Sequence, residues 1–554
     1  MAAGGRGGPG GGRTTRTSRT SGPSALSGTS GLSGPSGTSR TRRTARNGEP
    51  VPHRAFTSGS RGPPCVVGRV FPGDARLRSA EAADGGRERR SGRPVLKRTT
   101  HLFTAMAASL ALGLVFASGT ASARDRQGAA SVDRDLYGTK APYAPQGAPD
   151  RYQRAPRGFV PVFTESVARH GSRAMSDSED GDAVLDVLRR AQASDSLTAL
   201  GARLGPQVRS LLAAASALGY GNLSARGVQE QRQTALRMER RLPSLFRAIA
   251  AGHEAVVVET SGVPRAVASA EAFTGGLVAG EPGLTGLVEA PVTDKDLLYF
   301  HKQPQNADYR EYLEHDPDLA AVLAGIDAQP RTAQAARHVA ARLFRPGFVA
   351  ALSPAEQISF ARSLHQLYSA APDLSAEAPD VDLRPYLTPE DARWFAYLDD
   401  AEEFYGKGPA FAGRTITYRM AGVLLDDLFA QVEAKADGTG GKGAVLRFTH
   451  AEEIEPLAAL MGLPGSTEPA APGRAYTYRD NPWRGAEVAP MAANIQWDLY
   501  AGTPAPGRSG EPVTYLVRML YNEKETAFKP SCEPVAKGSY FYRLDELERC
   551  FGRG

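Results

Sequence analysis

The chain has 554 residues, 66 Lys+Arg against 60 Asp+Glu and a formal net charge of +6. That length allows roughly three or four domains, but the first ninety or so residues are Gly, Ser, Thr, Arg and Pro with almost no aromatics, too poor in apolar surface to offset their ordering entropy. Residues 1–123 hold 19 Lys+Arg and 5 Asp+Glu, leaving 47 against 55, or −8, in the remainder; bulk charge thus excludes a nucleic-acid partner for that part.

Residues 1–92 read as a low-complexity leader ("GGRTTRTSRTSGPSALSGTSGLSGPSG"). Residues 93–123 have a basic start (Arg93, Lys97, Arg98), an apolar run from Leu102 to Phe116 and a small-residue end, Ala121-Ser122-Ala123. That order predicts a secretory signal peptide cleaved after Ala123, hence an extracellular or cell-envelope protein. The apolar run falls short of the ~20 residues a span needs, so no stable membrane insertion is expected. A signal peptide belongs at the N-terminus, so residues 1–92 are expected to reflect a start assigned too far upstream. Of three cysteines, Cys65 lies in the leader. Cys532 and Cys550 remain as an even pair, whose bridging in an oxidising compartment would contribute about 3 kcal/mol. The alternative, a catalytic thiol, lacks a suitable neighbouring histidine.

Residues 124–157 read as an extended lead-in to a main body over 158–554. "GFVPVFTESVARHG" predicts a mostly buried strand ending in a tight turn, and 180–251 carries apolar residues at helical spacing. "AVVVETSG" is a β-branched strand and "VASAEAFTGGL" a helix. Residues 285–440 are mostly helical, clearest at "DPDLAAVLAGI", "AEQISFARSLHQLYSAA" and "RMAGVLLDDLFAQVEA". "GKGAVLRFTHAEEIEPLAALMGL" reads as loop, strand, turn and helix; "ANIQWDLY" and "VTYLVRMLYNE" are late strands. The pattern predicts an α/β fold, a sheet domain with flanking helices plus an inserted, mainly helical second domain at roughly 285–440. No internal repeat is visible.

Two passages carry chemistry. In "VARHGSRAM" (167–175), His170 is a candidate nucleophile between Arg169 and Arg173. Two guanidiniums fit the oxygens of a phosphoryl group, and their charge disfavours imidazolium. Gly171 suits a turn where backbone approaches the ligand. An exposed basic turn with an incidental histidine is the bland alternative. In "RFTHAEEIEP" (447–456), His450 and Glu452 end a strand and open a helix, so His450 can donate to a phosphoryl oxygen and Glu452 can protonate a departing alkoxide. Glu452 and Glu453 equally suit a first helical turn as dipole partners. Both passages lie at carboxyl ends of strands, where ligands of open α/β sheets gather. No H-E-x-x-H, Cys/His zinc spacing or G-x-S-x-G is present. "GTGGKG" (438–443) has Gly after Lys442 and precedes a strand, so it is read as a linker.

"RHGSR" with a distant "HAE" resembles the histidine acid phosphatase branch of the histidine phosphatase superfamily. HAE rather than HD resembles its multiple inositol polyphosphate phosphatase (phytase-like) group, as do "GNLSARG" (221–227), "TSGVPRAVASAEAFTGGL" (260–277) and "YLVRMLYNEK" (515–524). The resemblance spans roughly 158–550. It implies a cleft between sheet and helical domains, His170 as the phosphohistidine-forming nucleophile, and Arg169, Arg173 and Arg265 as phosphoryl ligands. His450 completes the pocket, Glu452 is the proton donor, and no metal or organic cofactor is implied. The family motif continues to a proline where this chain has Met175, which predicts a shifted turn. Lys302, Lys407 and Arg518 are the basic residues considered for selecting a highly phosphorylated inositol. The partner implied is a small phosphorylated substrate, inositol polyphosphate or, alternatively, a broader range of monoesters. A non-catalytic exported polyanion binder is the rival of another class, and oligomeric state is left open.

Overall fold

The computed structural model describes residues 134–503 and 512–553. The segments read as a leader (1–92) and as a cleaved signal peptide (93–123) therefore lie outside the described residues. Eight strands, β1 (Phe159–Arg169), β2 (Ala255–Thr260), β3 (Val292–Thr293), β4 (Lys442–Thr449), β5 (Asn494–Gly502), β6 (Tyr515–Tyr521), β7 (Lys524–Thr526) and β8 (Phe541–Arg543), form one mixed sheet. Its order is β3-β2-β4-β1-β5-β6-β7, with β8 also on β6. Strands β3, β2, β4 and β1 run parallel and the rest antiparallel. Parallel neighbours need long crossovers, and the helices between β1 and β4 supply them.

The helices that matter below are α1 (Glu179–Ala193), α2 (Gly201–Leu218), α3 (Ala225–Arg241), α4 (Pro243–Gly252), α5 (Pro264–Gly280), α6 (Pro330–Leu343), α7 (Pro354–Ala370), α8 (Pro389–Gly406), α9 (Gly422–Ala436), α10 (Ala451–Met461) and α11 (Leu544–Phe551). Helices α4 to α8 all open on proline, whose missing N–H costs nothing in a first turn. Side chains alternate across the strands, so the sheet feeds two cores. On one face Ala444, Leu446, Phe448 and Tyr500 pack with Met238, Phe246 and Phe273 of α3, α4 and α5. On the other, Phe163, Val445, Ile495 and Trp497 pack with Leu428 and Phe429 of α9 and Ile454 of α10. This second core continues into the helical layer, where α7 packs on both α6 and α1. The helical layer thus draws on two chain segments, one before β2 and one between β3 and β4. The architecture is the α/β sheet with a mainly helical insertion that the sequence predicts.

One charged cluster is sealed inside this arrangement. Arg447 of β4 is fully buried, 2.9 Å from Glu165 of β1 and 3.3 Å from Glu259 of β2, and it also pairs with Asp427 of α9. The three carboxylates come from the elements that flank and cover Arg447, so this ion cluster staples three adjacent strands to one helix. Near the C-terminus, Cys532 and Cys550 are bridged, with Cα atoms 5.1 Å apart. The bond ties the segment after β7 to α11. Among the described residues, no helix is long and apolar enough to cross a membrane.

Candidate active site

Hydrogen-bond register brings the two sequence passages together. Strands β1 and β4 are parallel neighbours with Arg169 opposite Thr449. The next residue of each strand is a histidine. The N–H of His170 donates to Thr449 O at 2.8 Å, and the two imidazole centroids stand 5.3 Å apart. On the far side of β4, β2 pairs Thr260 with Phe448, and its end leads into Ser261 and Arg265. Three adjacent strand ends therefore deliver Arg169, His170 and Arg173; His450 and Glu452; and Ser261 and Arg265.

His170 is 2% exposed and His450 1%. The Nδ1 of His170 lies 2.9 Å from Gly171 O. A carbonyl only accepts, so Nδ1 carries the proton and Nε2 keeps its lone pair. Burial first, then Arg265, Arg169, His450 and Arg173, hold its pKa well below the usual histidine value. The imidazole is thus kept neutral and nucleophilic in mildly acidic water. The Nε2 of His450 lies 2.8 Å from Ser261 Oγ. That oxygen also accepts from Val263 N–H and still has its own proton to donate to His450 Nε2. In that tautomer His450 Nδ1 carries a proton, and this nitrogen is buried with no partner.

The arginines share this property. The Nε atoms of Arg169, Arg173 and Arg265 are all buried without a hydrogen-bond partner. Arg169 is aimed by its Nη1, which donates to Thr139 O and Ala489 O at 2.6 and 2.5 Å. Burial and the neighbouring Arg265 and Arg169 push Arg173 down to about 10. Each buried donor left unpaired costs about 1–3 kcal/mol. The three Nε–H groups and the unpartnered Nδ1 of His450 around His170 form a site short of oxygen acceptors and negative charge.

The turn after His170 is set by close packing. A Cβ on Gly171 would sit 2.6 Å from Gly227 O, and one on Gly227 would sit 2.2 Å from Ser172 O. The backbone of α3 by itself therefore excludes a side chain at Gly171. The same contact explains "GNLSARG": Arg173 bridges to Leu223, and Ser224 caps α3 while donating to Ser172 O. Met175, in place of the family's proline, keeps its carbonyl on Gly221 N–H at 2.8 Å. Ser172 Oγ lies 2.9 Å from both Glu230 Oε1 and Asp373 Oδ1. A hydroxyl has one proton, so one carboxyl must supply the other. Asp373, pushed up to about 8 by burial and by Glu230, supplies it.

Glu452 opens α10 and remains partly open to solvent, while Lys407 Nζ stands 3.2 Å from its Oε1. Burial pushes this carboxyl up, but Lys407, then His301 and His450, outweigh burial and hold it well below its usual range. Lys407 also pairs with Glu403 at 2.5 Å. One turn after Glu452, Glu455 is buried with both oxygens unpartnered, and burial followed by Glu403 raises it far above its usual value. Glu453 turns inward instead, accepting from Thr449 Oγ1 and lying 2.6 Å from His301 Nδ1.

Of the cations considered for substrate selection, Lys407 is thus engaged with two carboxylates. Arg518 lies in β6, held by Asp498 at 2.9 Å and Glu525 at 3.3 Å, and so is not in the helical domain. Lys302 is exposed at the end of a short turn, Phe300–Lys302. Sequence reasoning missed Ser261, Glu230 and Asp373; the hydroxyl ending "VVVETS" was the one signal available for the first. Among the described residues no group of three or more His, Cys, Asp or Glu side chains is placed to hold a metal ion.

Known proteins match most of this chain. The family described as histidine phosphatase superfamily (branch 2) matches residues 163–522. Multiple inositol polyphosphate phosphatase 1 of Gallus gallus is 24% identical over 411 residues, 72% of this chain and 84% of its own. A multiple inositol polyphosphate phosphatase of Bifidobacterium longum, solved with inositol hexasulfate, superposes with a TM-score of 0.69 at 32% identity, covering 75% of this chain and 97% of its own. The phytase of D. castellii shares the fold, with a TM-score of 0.56 at 17% identity over 76% of this chain and 85% of its own.

Proposed function

The chain belongs to the histidine phosphatase superfamily, branch 2, and from that premise we propose that it is an exported phosphomonoesterase of inositol polyphosphates, chiefly phytate, working through a phosphohistidine. The observation that carries the mechanism is the pair of imidazoles 5.3 Å apart among three arginines whose Nε–H groups have no acceptor. The substrate class rests on the relatives whose names carry inositol polyphosphate and on the 32% identical structure with inositol hexasulfate. Export rests on the basic-apolar-small order of residues 93–123 and on the Cys532–Cys550 bridge.

In this mechanism a phosphate group enters the acceptor-poor pocket and satisfies Arg169, Arg173, Arg265 and the Nδ1–H of His450. The lone pair on His170 Nε2 attacks phosphorus, and the bond to the ester oxygen breaks. Charge on the equatorial oxygens is met by guanidiniums already oriented, so little reorganisation is needed during the step. The departing alkoxide takes a proton from Glu452. In the free protein Lys407 keeps Glu452 ionised. A bound phosphate dianion acts in the opposite sense, because a nearby like charge favours the neutral acid. Substrate binding is thereby coupled to loading of the proton donor. Water then attacks the phosphohistidine, Glu452 takes up its proton, and inorganic phosphate leaves.

The test is phosphate release from phytate by a His170→Ala variant with a parental melting temperature. We expect a loss on the order of 10⁴-fold or more, as for other enzymes stripped of a nucleophile. Release at the parental rate would refute the mechanism. A rate on a simple sugar phosphate equal to that on phytate would replace the substrate assignment with a broad acid phosphatase.

A further inference from the structure

A second concentration of arginine lies far from His170. A cavity of about 600 Å³ is lined by Arg154, Arg237, Arg240, Arg241 and Arg518. Pro161 and Tyr500, which pair across β1 and β5, also line it. Pro161 is eight residues before Arg169 on β1, so the cavity opens roughly 25 Å from the catalytic end of the sheet at ~3.3 Å per residue. It adjoins the sheet face covered by α3 and α4, opposite the helical layer.

Three of the five guanidiniums are anchored. Arg237 pairs with Glu523 at 2.7 Å, Arg241 with Asp498 at 3.0 Å, and Arg518 with both Asp498 and Glu525. Arg518 is further held against the Tyr152 and Tyr500 rings, at 5.9 and 5.5 Å. Those three carboxylates offset three positive charges. Arg154 and Arg240 are exposed at the cavity and have no ion pair or hydrogen bond among the described residues. Arg241 is only 4% exposed, yet its Nε–H is buried without an acceptor. The cavity therefore combines two uncompensated cations, one orphaned buried donor and a rigid, aromatic-backed floor. It is short of about two negative charges and at least one oxygen acceptor, and its volume is that of a small-molecule site.

We propose that this cavity binds a compact anion carrying two phosphate groups, separately from the catalytic pocket. One phosphate would lie between Arg154 and Arg240 and the other against Arg241. Guanidinium forks suit phosphate better than ammonium does, and the site contains no lysine.

The probe is methylenediphosphonate, which phosphatases cannot hydrolyse, titrated calorimetrically into the mature protein. Two sites are expected in the parent. Arg154→Ala/Arg240→Ala should weaken one site by at least tenfold while leaving phosphatase activity unchanged, and Arg169→Ala/Arg173→Ala should remove the other. A single site lost with Arg169 and Arg173, or two sites unaffected by Arg154→Ala/Arg240→Ala, would overturn the proposal. Parental crystals soaked in tungstate give a reading independent of any variant's folding. Anomalous density between Arg154, Arg240 and Arg241 is expected, and an empty cavity beside an occupied His170 pocket would also overturn it.

Discussion

Arg447 and the group Arg169, Arg173 and Arg265 are buried or half-buried guanidiniums at strands β1, β2 and β4, yet their surroundings are opposite. Around Arg447, Glu165, Glu259 and Asp427 supply more negative charge than one cation needs. Burial, helped by Asp427 and Glu259, outweighs the lowering effect of Arg447 and pushes Glu165 up to about 8. Around the other three, no carboxylate stands within ion-pairing distance among the described residues, and each Nε–H lacks an acceptor. The first cluster is complete without a ligand and holds strands together. The second lacks both acceptors and counter-charge, which the anionic substrate of the proposed reaction would supply. A stability–function trade-off of this kind is expected where a site is organised in advance.

The comparison is tested most strongly at Arg447. Arg447→Met should cost about 3–5 kcal/mol, because it leaves buried carboxylates uncompensated, while the folded fraction keeps its phosphatase activity. Chemical denaturation reads this directly, and a loss below 1 kcal/mol would erase the contrast. Arg169→Ala should do the reverse. Activity falls about 10²–10³-fold, the usual effect of losing one oriented donor to developing charge, while stability falls less than in Arg447→Met, because relief of repulsion opposes the loss of the hydrogen bonds to Thr139 O and Ala489 O. A variant that unfolds as readily as Arg447→Met would show that Arg169 is structural.

Smaller effects lie in the pH profiles of kcat/KM, whose limbs report the free enzyme's essential groups, and of kcat, whose limbs report those of the substrate complex. Activity falls on the acid side as His170 takes up a proton. After burial, Arg265 contributes most to keeping that proton off. Arg265→Ala therefore raises the histidine pKa and moves the acid limb to higher pH. On the alkaline side of the kcat profile activity falls as Glu452, loaded with its proton in the substrate complex, loses it. Lys407 is the strongest charge favouring that loss, so Lys407→Met moves the alkaline limb to higher pH as well. Motion of either limb to lower pH would contradict the assignment of these charges.

Much of the site could be read locally. "RHGSR" and "HAE" each sit where a hydrophobic strand stops, and periodicity alone located β1, β4 and the helix after His450. Ser261 escaped notice because a hydroxyl at a strand end is ordinary until an imidazole is known to face it. Asp373 and Glu230 belong to no motif; they matter because Ser172 has one proton to share between them. Lys407 was visible as a cation, but its commitment to Glu403 and Glu452 depends on how α8 meets α10. Gly171 was read as making room for a ligand; that Gly227 also excludes a side chain there depends on the packing of α3.

What the amino-acid order determined by itself is therefore the inventory: a histidine between arginines, a second histidine beside a glutamate, and the strand ends that present them. Side-chain period and turn chemistry are properties of a few neighbouring residues, so they survive in one dimension. The tertiary structure alone decided that Arg169 pairs with Thr449, that these cations lack carboxylates while Arg447 has three, and that five further arginines share a cavity at the other end of the sheet. Register between strands some 280 residues apart and the balance of charge in a buried space are sums over non-local neighbours. No local window of sequence contains them.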